Sequence, residues 1–123
     1  MIGIAEPDVI VEAYARISKQ LGVPGRVSEA AVRIALREAD HHADDTYDVP
    51  AALLYALGRN ARCFDAFRAM SVLVIEWHTK TLGFKLDASR RELADLLGRV
   101  AVRDMAWEEV RSWVGQRLLP FGG

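Results

Sequence analysis

The stretch Met70-Ser-Val-Leu-Val-Ile-Glu-Trp77 constrains this chain more than any other. It is apolar almost all the way round a helix instead of along one stripe, and such a helix is normally buried on every side. Glu76, His78 and Lys80 interrupt it, so a segment of about 18 residues here is too polar to span a bilayer. The expectation is a central helix of a small domain, with the other helices packed around it. At the start of such a helix, backbone N–H groups without partners could hold an anion.

A length of 123 residues suits one domain with a real core, residues 1–123, flanked by short tails at 1–5 and 119–123. Hydrophobic residues at 51% and charged residues at 27% argue against disorder. The net charge of −1 lacks the basic excess of a nucleic-acid binder, so direct contact with nucleic acid is not expected. The single Cys63 rules out an internal disulfide and fits a reducing compartment. No charged segment precedes an apolar run at the N-terminus, so no signal peptide is evident. The expectation is a cytoplasmic protein with no membrane association.

Local signals divide the chain into six helices. Pro7 suits the first turn of one in which Ile10, Tyr14, Ile17 and Leu21 recur at helical spacing. Gly22-Val-Pro-Gly25 stops it. Ser28 is a good N-cap for a second helix with Ala31, Ile34 and Ala35 inward, ending in the polar, loop-like run Glu38–Asp45. A third helix starts around Asp48-Val-Pro50, carries Leu53, Leu54 and Leu57, and ends near Gly58-Arg-Asn60, where asparagine can take a left-handed cap conformation. The apolar helix follows and Gly83 closes it, with Phe84-Lys-Leu86 as a short extended piece. Ser89-Arg-Arg-Glu92 has capping-box spacing and begins a fifth helix with Leu93, Leu96, Leu97 and Val100 inside. Asp104 is expected to cap a last helix with Trp107, Val110, Trp113, Val114 and Leu118 on one wide stripe, and Pro120–Gly123 reads as a tail. The predicted class is all-α, a compact six-helix bundle around a buried central helix, with no confident strand.

The order of these pieces resembles the death-on-curing (Doc) branch of the Fic family. The likeness rests on Ala52-Leu-Leu-Tyr-Ala-Leu-Gly-Arg-Asn60, a short loop, and an apolar helix ending Leu82-Gly-Phe-Lys-Leu86. Gly22-Val-Pro-Gly25 followed by Ser28–Ala35, the Glu92–Leu97 helix and the closing Trp107 helix also sit in place, so that it covers roughly residues 5 to 118. In that family a loop motif, His-Pro-Phe-x-[Asp/Glu]-Gly-Asn-[Lys/Gly]-Arg, follows an Arg-Asn or similar pair. The histidine is a general base, the acid holds Mg²⁺, and the Gly-Asn-x-Arg portion cradles nucleotide phosphates. The resemblance thus implies transfer of AMP or another phosphate-containing group, ATP or a similar nucleotide with Mg²⁺ as cofactors, and an antitoxin as partner.

Anchored on Arg59-Asn60, this chain reads Ala61-Arg-Cys-Phe-Asp-Ala-Phe-Arg-Ala-Met70 through the motif. Ala61 stands where the base should be, and alanine cannot accept a proton. Arg62 replaces the proline. Ala66 and Phe67 replace the Gly-Asn pair, placing side chains where the backbone would approach phosphate. Ala69 replaces the final arginine, a bidentate phosphate ligand. Asp65 is kept at the metal position, and Arg68 is a cation one place early. The family's ordinary reaction is expected to be lost, leaving Asp65, Arg68 and Arg62 as the candidate ligand-binding residues and Asp65 as a metal ligand only if Mg-nucleotide binds.

Each further candidate has a plainer reading beside it. Asp65 and Arg68 are three apart and suit an ordinary i,i+3 ion pair. Arg62 could lower the pKa of Cys63, but a lone cysteine among apolar neighbours is usually just buried. His41, His42, Asp44 and Asp45, with Glu38 and Asp40, are metal-ligand types; bunched together, they lack the separated pairs of a strong motif and favour a solvated loop. His78 favours a core position. Trp107 and Trp113 favour core packing, though one of them with Phe121 would suit a protein interface.

Three functional expectations follow. The first is a Doc-like domain with a degenerate loop, a pseudoenzyme that binds an antitoxin-like or regulatory chain or a second copy of itself and needs no cofactor. The second is a divergent nucleotide-dependent phosphoryl or nucleotidyl transferase using Asp65 and Arg68. The third is a helical bundle unrelated to that family.

Overall fold

The computed structural model describes residues 4–22, 26–60, 64 and 67–120. Six α-helices follow one another: α1 (Pro7–Leu21), α2 (Glu29–His42), α3 (Val49–Arg59), α4 (Phe67–Thr81), α5 (Arg90–Ala101) and α6 (Trp107–Gly115). A 3₁₀ turn, Thr46–Asp48, leads into α3, and two short strands, β1 (Phe84–Leu86) and β2 (Leu118–Pro120), pair antiparallel with Phe84 opposite Pro120. The class is all-α, as the periodicity predicts. Among the described residues no helix is long and apolar enough to cross a membrane.

Most starts and stops follow from local chemistry. Pro7 lies in the first turn of α1, and Gly22, at φ 64°, closes it with its N–H directed at the carbonyls of Ser18 and Lys19. The Ser28 hydroxyl accepts from the Ala31 N–H at the head of α2. At α5 the box is complete: Ser89 Oγ accepts from the Glu92 N–H and Glu92 Oε1 from the Ser89 N–H. Hydrogen bonding to Ser89, from its backbone N–H foremost and then from its side chain, holds the Glu92 carboxyl below its ordinary pKa. Gly83 turns the chain out of α4 at φ 88°.

Four expectations need correction. The helix buried on every side is α3, not α4: every residue from Val49 to Gly58 is buried. Ala51, Ala52, Ala56 and Gly58 let α2, α4, α5 and α6 close round it. A Cβ on Gly58 would stand 2.6 Å from Val100 Cγ1 of α5. In α4, Leu73, Glu76 and Trp77 stay half-buried and Lys80 is exposed. Large apolar side chains drew the sequence reading to α4, whereas in α3 small residues set between the leucines admit closer neighbours, and that helix is more deeply enclosed.

The second correction concerns α2, which continues through Glu38 to His42 because Ala39 keeps the buried stripe of Val32, Ala35 and Leu36 in register. Ile34, predicted inward, is 56% exposed. Third, Asp104 does not cap α6; its carboxylate takes Arg99 Nε, and Ala106 is the N-cap, with its N–H donated to Glu109 Oε1. Finally, α6 stops at Gly115, so Leu118 leaves the predicted helical stripe and joins Leu119 and Pro120 in β2 instead of forming a tail. At the other end Ile4 is buried, so the first described residues pack as well.

Candidate functional site

The junction between α3 and α4 is where the sequence places the candidate chemistry. Ala61, Arg62, Cys63, Asp65 and Ala66 lie outside the described residues; Phe64, Phe67, Arg68 and Ala69 lie within them. Phe64 is buried, stacks on Tyr14 of α1 at 5.0 Å between ring centroids, and forms an isolated antiparallel bridge with Val27. One residue therefore anchors the connection, through its backbone to the segment ahead of α2 and through its ring to α1.

Upstream of it, the end of α3 is held by one carboxylate. Glu38 accepts Arg59 Nε at 3.0 Å on Oε1 and Asn60 Nδ2 at 3.1 Å on Oε2. Arg59 also donates to the Tyr55 hydroxyl, and Asn60 Nδ2 to the Ala56 carbonyl. Asn60 sits at φ −120°, ψ 59°, so it ends the helix through its side chain and not through the left-handed cap the sequence suggests. The Arg-Asn pair is thus tied to α2. Sequence reading missed this arrangement because it assigned Glu38 to a loop; the unbroken spacing Val32, Ala35, Leu36, Ala39 carries the signal.

Downstream, Phe67 packs partly buried against the core and Met70 is 2% exposed, so the first turn of α4 presents two apolar side chains to the interior. Arg68 is exposed, and its guanidinium lies over Gly98 of α5, where an added Cβ would meet Nη2 at 2.7 Å. Ala69 is exposed. No general base stands at this turn among the described residues.

The remaining candidates are dispersed. His42 clusters with the rings of Trp107 and Tyr55, at 5.0 and 5.2 Å, and His41 meets His42 edge-on. Asp45 caps the Asp48 N–H, Asp48 accepts Arg111 Nε at 2.8 Å, and Asp44 stands 3.8 Å from Arg111 Nη2. Hydrogen bonding to Asp48, and then its charge, raises the Arg111 pKa. Among the described residues no three His, Cys, Asp or Glu side chains gather as a metal site. Trp113 is half-buried and carries the Arg117 guanidinium on its face at 4.0 Å; Phe121 lies outside the described residues.

His78 is 1% exposed and burial lowers its pKa, which keeps the imidazole neutral. It faces the Ala5 N–H, well away along α4 from Phe67, and so does not substitute for the missing base. Among the described residues the junction presents apolar side chains and the cation of Arg68, and shows no proton-transfer pair.

No protein-family model, curated protein or solved structure matches this chain.

Proposed function

We propose that this chain is a binding module: a Doc-like helical domain that acts by contact with another protein and not by group transfer. The observation that carries the reading is the first turn of α4, where Phe67 and Met70 turn inward at the place a phosphate-cradling loop would need open backbone. Two further features support it. The Arg59-Asn60 pair is engaged by Glu38, and Arg68 rests on Gly98 of α5. The order of helices, with a short extended piece after Gly83, also follows the sequence of elements that the resemblance implies. The partner is a protein such as an antitoxin-like or regulatory chain.

The test is calorimetric titration with ATP and other nucleotides in the presence of Mg²⁺, alongside Asp65→Ala and Arg68→Ala variants. The expected result is no heat of binding at millimolar nucleotide. Binding that either variant abolishes would overturn this reading in favour of a nucleotide-dependent transferase.

A further inference from the structure

A cavity of about 550 Å³ opens beside the start of α3, a volume in the range of small-ligand sites. The 3₁₀ turn, β1, α6 and β2 build it. Asp45 caps the Asp48 N–H, and the tight turn that results buries Asp48 and leaves Tyr47 65% exposed. Gly83 turns the chain out of α4 into β1, which brings Phe84 to Tyr47. Their rings stand 5.3 Å apart at 51° to one another, forming a corner, and both residues line the cavity. The junction of α3 and α4 lies at the other end of α3, 11 residues along, or about 16 Å. The two places are separate.

The charged part of the lining is Asp48, Glu108 and Arg111. Arg111 gives its Nε to Asp48 at 2.8 Å and stands 3.8 Å from Asp44, so its charge is already answered. Glu108 is exposed and makes no ion pair or hydrogen bond among the described residues. Asp44, Asp48 and Glu108 thus surround one guanidinium, an excess of two negative charges. Cations flanking the two strands are turned elsewhere. Lys85 lines the opposite side of β1, and the Arg117 guanidinium lies on the face of Trp113.

We infer that this cavity is a binding site for a single guanidinium group, stacked in the Tyr47–Phe84 corner with its edge towards the Glu108 carboxylate. Aromatic faces attract cations. A guanidinium is planar, sheds water more readily than an ammonium, and matches a carboxylate with two parallel N–H donors. The molecule already uses the stacking half of this pairing, with Arg59 over Tyr55 at 5.4 Å and Arg117 over Trp113 at 4.0 Å. Leu118 and Pro120 supply an apolar wall for the aliphatic stem behind the cation. The same group is carried by a peptide arginine and by a free guanidino compound. The inference stands on this cavity alone and not on the function proposed above.

The experiment is an NMR titration of the full chain with butylguanidinium chloride, following the ring resonances of Tyr47 and Phe84. Tyr47 and Glu108 are exposed, so Tyr47→Leu and Glu108→Gln are expected to keep the wild-type circular dichroism. The expected result is a saturable shift in the millimolar range. Glu108→Gln is expected to weaken binding about tenfold and Tyr47→Leu about threefold. Glu12→Gln, which removes an exposed carboxylate of α1, is expected to change nothing. Butanoate, with a similar stem and the opposite charge, is expected to leave both rings unmoved. A shift that does not saturate, or that Glu108→Gln leaves undiminished, overturns the site. Butylammonium binding as tightly as butylguanidinium overturns the choice of a planar cation. A capped pentapeptide with one arginine among glycines separates the sources. Tighter binding than butylguanidinium assigns the site to an arginine of a protein segment, weaker binding to a free guanidino compound, and either upholds it.

Discussion

The backbone N–H of Ala5 donates to Nε2 of His78 across 3.0 Å, fastening the segment ahead of α1 to the buried side of α4. An accepting Nε2 puts the imidazole proton on Nδ1, which has no acceptor among the described residues. A second proton would remove the acceptor and bury a charge.

The folded state therefore takes up a proton on His78 less readily than the unfolded chain, whose histidine has the ordinary value of 6.5. Above that pH both states are neutral and the group contributes no pH dependence. Below it the unfolded chain binds the extra proton, so stability falls as pH falls, by up to about 1.4 kcal/mol per pH unit. Urea denaturation at steps between pH 7.5 and about 5, above the carboxylate range, checks this. Subtracting the same series for His78→Gln, which does not titrate, isolates this group from His41 and His42.

Gly58 and Gly98 give opposite outcomes from near-equal distances. At Gly58 a new methyl meets Val100 Cγ1 at 2.6 Å and Cβ at 2.8 Å inside the core; Gly58→Ala is expected to cost about 1–3 kcal/mol despite the better helix propensity of alanine. At Gly98 the obstruction is the tip of exposed Arg68. That side chain swings away, and Gly98→Ala gains up to about 1 kcal/mol. Thermal denaturation of the two variants compares them directly.

Arg103 holds a left-handed conformation, φ 61°, just past α5. Its N–H reaches the Val100 carbonyl and the Asp104 N–H reaches that of Arg99, the bonding pattern that usually ends on glycine. Replacing Arg103 by glycine removes the steric cost of that conformation and adds unfolded-state entropy, for a net gain of roughly 0.5–1 kcal/mol. A higher melting temperature with an unchanged spectrum is the expected readout.

Glu38→Ala cuts both ties between α2 and the end of α3. The side chains of Glu38 and Arg59 are 27% and 30% exposed, which places the cost at about 1–2 kcal/mol. The Asn60 side-chain amide resonances, held by two acceptors in the wild type, are expected to move towards free values.

Much of this fold was legible in local chemistry. Ser28, Ser89 and Glu92 declare helix starts, Gly22 and Gly83 declare stops, and the stripe Leu93, Leu96, Leu97, Val100 points where it should. The end of α2 was misread because Glu38, Asp40, His41 and His42 look like loop by polarity, while period and not polarity decides. The strand at Leu118–Pro120 was hidden because three residues gain strand character only from their partner, Phe84–Leu86, far away in the chain. At the junction of α3 and α4 the residue types could be read directly, but the inward turn of Phe67 and the seat of Arg68 on Gly98 depend on neighbours brought in from α5 and the core.

The enclosure of α3 bears on how such a chain can change over time. A helix with no outward face is filtered by volume and polarity together, so Val49 to Gly58 can drift among apolar residues of near-equal size and little else. The exposed faces of α1 and α4 answer to no such filter, and a lineage can acquire new partners there while its innermost helix stands still.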